Sequence, residues 1–135
     1  MENGKGKMEN KERKDFRRFE EMKVWQDARD LTKTIYQICN TGKLQRDFGL
    51  KDQLQRSAVS IMSNIAEGHE RNSKSEFVLF LGYAKGSVGE LRAQMYVALD
   101  IGFVSKDDFE AISSKCVEIS SQLSKFIGYL RKQSK

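Results

Sequence analysis

A chain of 135 residues supports one domain with one core, and a composition of 32% charged and 39% hydrophobic residues suits a small helical domain with long solvated faces. There is no proline, which favours uninterrupted helices over folds rich in tight turns, and no apolar run approaches the roughly 18–20 residues that span a bilayer. The net charge of +5 sits at the ends: residues 1–18 hold seven basic and four acidic residues, residues 125–135 hold four basic and none acidic, and the body keeps 13 of the 24 basic and 15 of the 19 acidic residues.

Residues 1–18 are polar and nearly free of apolar side chains before Phe16, so they cannot bury enough surface to offset ordering. They are expected to form a disordered basic tail, in which Met8-Glu9-Asn10 repeats Met1-Glu2-Asn3 and offers a second start position. Residues 19–132 are expected to form an all-α, antiparallel up-down-up-down four-helix bundle. The first helix runs from about Phe19 to Asn40, with Val24, Ala28, Leu31, Ile35 and Ile38 in one stripe and Asn40-Thr41-Gly42 as its stop. The second runs from about Phe48 to Glu67 with Leu50, Leu54, Ala58, Ile61 and Ile65 on one face, and Gly68 reads as its terminator.

The third helix starts after Ser73 or Ser75 and carries Phe77, Leu81, Ala84, Val88, Leu91, Met95 and Ala98 before Gly102 ends it. The fourth is capped by Ser105 and carries Phe109, Ile112, Cys116, Ile119, Leu123, Phe126 and Leu130. In an up-down order the first helix begins, and the fourth ends, at the pole that holds the connection between the second and third. Both basic ends, Arg71 and Lys74 are therefore expected at one pole.

Two features lie beyond the core pattern. The third helix carries Gly82, Gly86, Gly89 and Ala93 on one side, and each interior glycine costs about 1 kcal/mol against alanine. Such a stripe points to close approach of another helix, within the subunit or between subunits, on a helix that stays continuous. The second helix carries Gln53, Ser57, Ser60, Asn64 and Glu67 beside its apolar face, with Arg56 alongside. These short polar side chains read as partly buried, and antiparallel pairing about residue 71 predicts a buried polar link from Glu90 to Arg56 or Gln53.

The candidates for chemistry are few. His69 between Glu67 and Glu70 reads as a surface turn histidine, since a cluster without cysteine or a second histidine is a poor metal site. Ser87 follows a glycine but no strand precedes it, and the glycines of the third helix lack the spacing of a phosphate loop. No acid, base and nucleophile set can be assembled, so neither an enzyme, a metal nor a cofactor is expected. Cys39 and Cys116 form no CxxC pair and read as reduced thiols of a cytoplasmic protein. Lys11, Arg13, Lys14, Arg17, Arg18, Arg71, Lys74, Arg131 and Lys132 are candidate contacts to phosphates of RNA or DNA without sequence preference; a solubilising tail is the plainer alternative.

The set Gly49-Leu50, Gln53, Arg56, Ser60-Ile61, Asn64-Ile65-Ala66-Glu67-Gly68, Arg71, Phe77, Phe80-Leu81, Ala84, Gly86-Ser87 and Glu90-Leu91 resembles the four-helix-bundle proteins encoded in intervening sequences of bacterial large-subunit ribosomal RNA genes. The resemblance extends back to Val24-Trp25 and Ala28 and forward to about Leu130. It implies a left-turning bundle assembled as a homopentamer with a central channel. From the residues themselves, Arg56, Asn64, Glu67, Gly68, Gly82, Gly86, Gly89 and Glu90 are the candidate structural or assembly positions. A related branch, the accessory proteins of diversity-generating retroelements, implies nucleic acid and a reverse transcriptase as partners, and no enzymatic activity. The chain departs from the pattern at Met62, where a proline is usual, and at Gly42-Lys43-Leu44, where Phe-Pro is usual. Two readings follow: a homo-oligomer that binds nucleic acid, or an oligomeric scaffold for a protein partner.

Overall fold

The computed structural model describes residues 17–133, which form four α-helices and two 3₁₀ turns, with no strand among them. α1 spans Lys23–Cys39, α2 Phe48–Glu70, α3 Lys74–Asp100 and α4 Lys106–Gln133. The first helix is shorter than its stripe suggests. Phe19–Glu21 is a 3₁₀ turn, and Met22 is extended before α1 starts. Met22 is itself fully buried, so the chain bends to place that side chain in the core.

The helix ends follow their local chemistry. Ser73 accepts from the Glu76 amide at 3.1 Å, and Ser105 accepts from the Asp108 amide at 3.0 Å, each satisfying a donor of its first turn. Asp47 does the same for Leu50 at 3.0 Å. At the end of α3, Gly102 takes φ +77°, its amide reaches Leu99 O at 3.0 Å, and the Phe103 amide reaches Ala98 O at 2.8 Å. That double bond over a left-handed residue is a Schellman end, which glycine adopts without a Cβ clash.

The core is one cluster drawn from all four stripes, including Leu31, Leu54, Leu91 and Leu123. Each helix packs against its neighbours in the chain, and α1 also packs against α4. Ser60 meets Ser87 and Gly68 meets Phe80 between α2 and α3, and Tyr96 meets Phe109 and Phe77 meets Phe126 between α3 and α4. Polar ties cross the core edges. Thr32 Oγ1 donates to the carbonyl oxygens of Ala28 and Ala58, and Gln122 Nε2 donates to Asp27 Oδ2 at 2.8 Å. Burial acts to raise the Asp27 carboxyl, but hydrogen bonds from Lys23 and Gln122 outweigh it and leave the group below its ordinary value.

One glycine expectation is reversed and another is narrowed. Gly68 does not terminate α2, which continues to Glu70. It is buried, and a Cβ built there would lie 2.8 Å from Phe80 Cβ and 3.0 Å from Phe77 Cδ1. Gly82, Gly86 and Gly89 have nothing within 4 Å of such an atom, and α3 runs unbroken through them. The close approach inside the subunit is therefore at Gly68, and the glycine stripe of α3 faces outward. Gly68→Ala should cost about 1–3 kcal/mol through forced displacement of Phe80 at its Cβ and of the Phe77 ring, whereas Gly86→Ala should leave the subunit's stability level or raise it by up to about 1 kcal/mol. Denaturant unfolding of both variants checks this; a stabilised Gly68→Ala would refute the close approach.

Candidate functional site

The pole of the bundle where α2 ends and α3 begins gathers residues from both ends of the described chain. A file of aromatic rings joins them. Trp25 meets Phe19 at a centroid distance of 5.0 Å, Phe19 meets His69 at 6.4 Å, and His69 meets Phe77 at 6.0 Å. Phe77 then meets Phe126 edge-on at 5.4 Å, and Phe126 stacks towards Tyr129 at 6.3 Å. Edge-to-face pairs of this kind add about 0.5–1.5 kcal/mol each beyond area burial. The file touches all four helices, so it fixes the pole as a unit. His69 is consequently not a surface turn residue: it lies in the last turn of α2, with only 13% of its side chain exposed.

The cations of the pole differ in how far they are committed. Arg17 and Arg18 are exposed just before the Phe19 turn, and Arg131 and Lys132 are exposed in the last turn of α4. Arg71 pairs with Glu67 at 2.8 Å, and its guanidinium carbon lies 4.8 Å from the Phe80 ring centroid. That arrangement fixes its direction while leaving 41% of the side chain exposed. Lys74 Nζ donates to Gln133 O at 3.0 Å, tying the start of α3 to the end of α4. Lys11, Arg13 and Lys14 lie outside the described residues.

Between the Arg71–Lys74 connection and the end of α4 lies a cavity of about 80 Å³. Phe77, Phe126 and Tyr129 supply its aromatic wall, and Arg71, Asn72, Ser73 and Lys74 its polar rim. Tyr129 Oη accepts from Gln133 Nε2 at 2.7 Å, which orients the ring edge. Sequence reasoning found the cations here but missed Asn72, Tyr129 and the cavity. Tyr129 sits one turn beyond Phe126, and that i,i+3 aromatic spacing on the last helix was the available signal.

The expected Glu90 link does not form. Glu90 is exposed, Gln53 is exposed, and Arg56 pairs instead with Asp52 in its own helix at 2.8 Å. The polar contact between α2 and α3 is made by Ser60 and Ser87, whose hydroxyls are 2.8 Å apart, with Asn64 Nδ2 donating to Ser60 Oγ at 3.0 Å. Two small hydroxyls satisfy each other at less desolvation cost than a carboxylate and a guanidinium. Neither thiol belongs to the pole or to a reactive centre: burial pushes Cys39 up to about 11 and Cys116 up to about 12. Among the described residues no group of three or more His, Cys, Asp or Glu side chains is arranged to hold a metal ion, and no helix is long and apolar enough to cross a membrane.

The sequence pattern of the 23S rRNA-intervening sequence proteins matches residues 20–125. The chain belongs to that family. The matched stretch contains α1 to α3 whole, the connection at the pole and most of α4. Among solved structures, the chain is similar to a protein of unknown function from the S23 ribosomal protein family of Bacteroides thetaiotaomicron, with 22% identity and a TM-score of 0.71. That match covers 77% of this chain and 97% of the other, and at this identity it bears on the fold alone. No curated protein matches the chain.

The serine pair and Glu90 are separable by mutation. Ser87→Ala leaves the Ser60 hydroxyl without its interhelical partner and should lower stability by about 1 kcal/mol, while Glu90→Ala should stay within about 0.5 kcal/mol. Urea unfolding distinguishes the two, and a larger effect at Glu90 would reinstate the carboxylate link.

Proposed function

We propose that this family member is a non-enzymatic cytoplasmic homo-oligomer, an up-down-up-down bundle that holds RNA or DNA through its basic pole without sequence preference. The observation that carries the reading is the meeting at one pole of Arg17, Arg18, Arg131 and Lys132, all exposed, with Arg71 and Lys74 from the α2–α3 connection. Phosphate contacts need reachable cations more than a shaped groove, and they position a polyanion without reading its bases.

Self-association is supported by the outer side of α3. Leu79 is 49% exposed, Tyr83 52% and Val97 49%, and the open glycines Gly82, Gly86 and Gly89 lie among them. A helix that is apolar on its solvent side as well as its core side is normally covered. Glycines there let a second backbone approach closely, which gives the stripe the role it lacks inside the subunit. Five copies, the number that the family resemblance implies, would set five basic poles in one ring, and weak phosphate contacts would then add by avidity.

Sedimentation of the intact protein should show an oligomer, and Gly86→Gln should shift it towards the monomer by placing a bulky neutral side chain in the stripe. An unchanged oligomer would move the interface elsewhere on the surface. Binding of a structured RNA and a duplex DNA should weaken steeply with salt, and a chain without residues 1–18 should show a shallower slope, each lost phosphate contact removing about 0.9 from the log–log slope on duplex DNA. Absence of binding at low salt would leave the scaffold for a protein partner.

A further inference from the structure

We infer that the cavity at the pole takes one unstacked base of a single-stranded nucleic acid, with the neighbouring phosphates held by Arg71 and Lys74. The inference rests on reading the pole as a nucleic-acid surface, and it names the form of nucleic acid the pole selects.

Size decides the class of ligand. Pockets for free cofactors and drug-sized ligands run to roughly 300–1,000 Å³, and this one holds about 80 Å³. It is too small to enclose even one ring, since a cavity of about 150 Å³ is what takes up benzene, so a base enters only in part, by one edge, and the ligand that carries it must be anchored elsewhere. The exposed cations around the pole supply that anchorage for a polyphosphate chain.

The lining decides the chemistry. Phe77, Phe126 and Tyr129 present an aromatic wall, against which every base can stack through its π-face. The exposed Asn72 also lines the cavity, and its amide carries two donors and an acceptor, which suits the hydrogen-bonding edge of a base. Arg71 is already oriented by Glu67 and by the Phe80 ring, and Lys74 by Gln133 O, so both cations flank the opening in fixed directions. A wall of rings with cations at the mouth matches a base and its phosphates. A base inside a duplex cannot enter, because its faces are covered by its neighbours in the stack.

The test uses the intact protein with three probes: a short single-stranded RNA carrying one 2-aminopurine, the DNA strand of the same sequence, and the blunt duplex of the same length. Both single strands should bind about ten-fold more tightly than the duplex, the effect of one stacked base, and the 2-aminopurine emission should change at saturation. Tyr129→Leu should abolish the preference and the emission change while leaving the salt slope as it was. Equal, salt-dependent binding of all three probes with silent emission would overturn the cavity inference and leave the basic pole standing; an aromatic side chain from a protein partner seated in the cavity would give this result. No binding of any probe at low salt would overturn both readings. Should Tyr129→Leu fail to fold, the emission and the strand preference of the unaltered protein decide the matter alone.

Discussion

The missing side chain at Gly68 is the constraint on which this bundle turns. α2 and α3 share the most extensive contact in the chain, and at their shared pole the gap between them is set by Phe77 and Phe80 lying against bare Gly68 backbone. One turn back, Ile65 and Ile61 point into the core, and Asn64 reaches Ser60 beside the Ser60–Ser87 contact. One residue on, His69 enters the file of rings, and Arg71 folds back to Glu67. The run Asn64-Ile65-Ala66-Glu67-Gly68 is therefore a single packing device: apolar residues towards the core, an amide for the interhelical hydroxyls, and a glycine where two helices come nearest. The placing of Arg71 follows from it, because its guanidinium lies over the ring of Phe80, one of the two residues packed against Gly68.

The helices were legible because their apolar stripes keep a spacing of three and four over many residues, and because Ser73, Ser105 and Gly102 are chemically suited to the ends they form. The errors at the α2–α3 junction share one source. A glycine marks either a left-handed helix end or a close approach, and both use the absence of a Cβ, so one sequence cannot say which. Gly68 reads as the first and is the second. Ending α2 too early also placed the turn between α2 and α3 too early, which shifted their register by about one helical turn. In the true register Ser60, not Arg56, stands opposite Ser87. Glu90 lies three residues further along α3, on a side that faces solvent, a difference of azimuth that spacing along the chain does not reveal. The cavity was beyond reach because its wall comes from α3 and α4 and its rim from a three-residue connection, which only the fold brings together.

The molecule divides its surface by chemistry. One pole carries reachable cations and a ring-lined recess, the outer side of α3 carries exposed apolar residues around open glycines, and the thiols are sealed in the core. A phosphate surface works best wet and charged, whereas a subunit contact works best dry and closely packed. The proposed phosphate surface lies at the end of the helices and the proposed subunit contact along the flank of α3, so the two demands fall on separate parts of a small bundle.

The uneven packing of the helices also bears on the order in which the chain assembles. α2 and α3 are adjacent in sequence and share the broadest contact, α4 adds to α3 next to it, and the α1–α4 seam is the sparsest of the four and joins residues about a hundred positions apart. Local contacts close at little entropic cost, and distant ones close late. The expected sequence is a central hairpin that forms first and an outer seam that zips last, bringing Phe19 and the end of α4 to the pole together. The ring file is then complete only in a fully folded subunit, so the pole reports, by its own existence, that folding has finished.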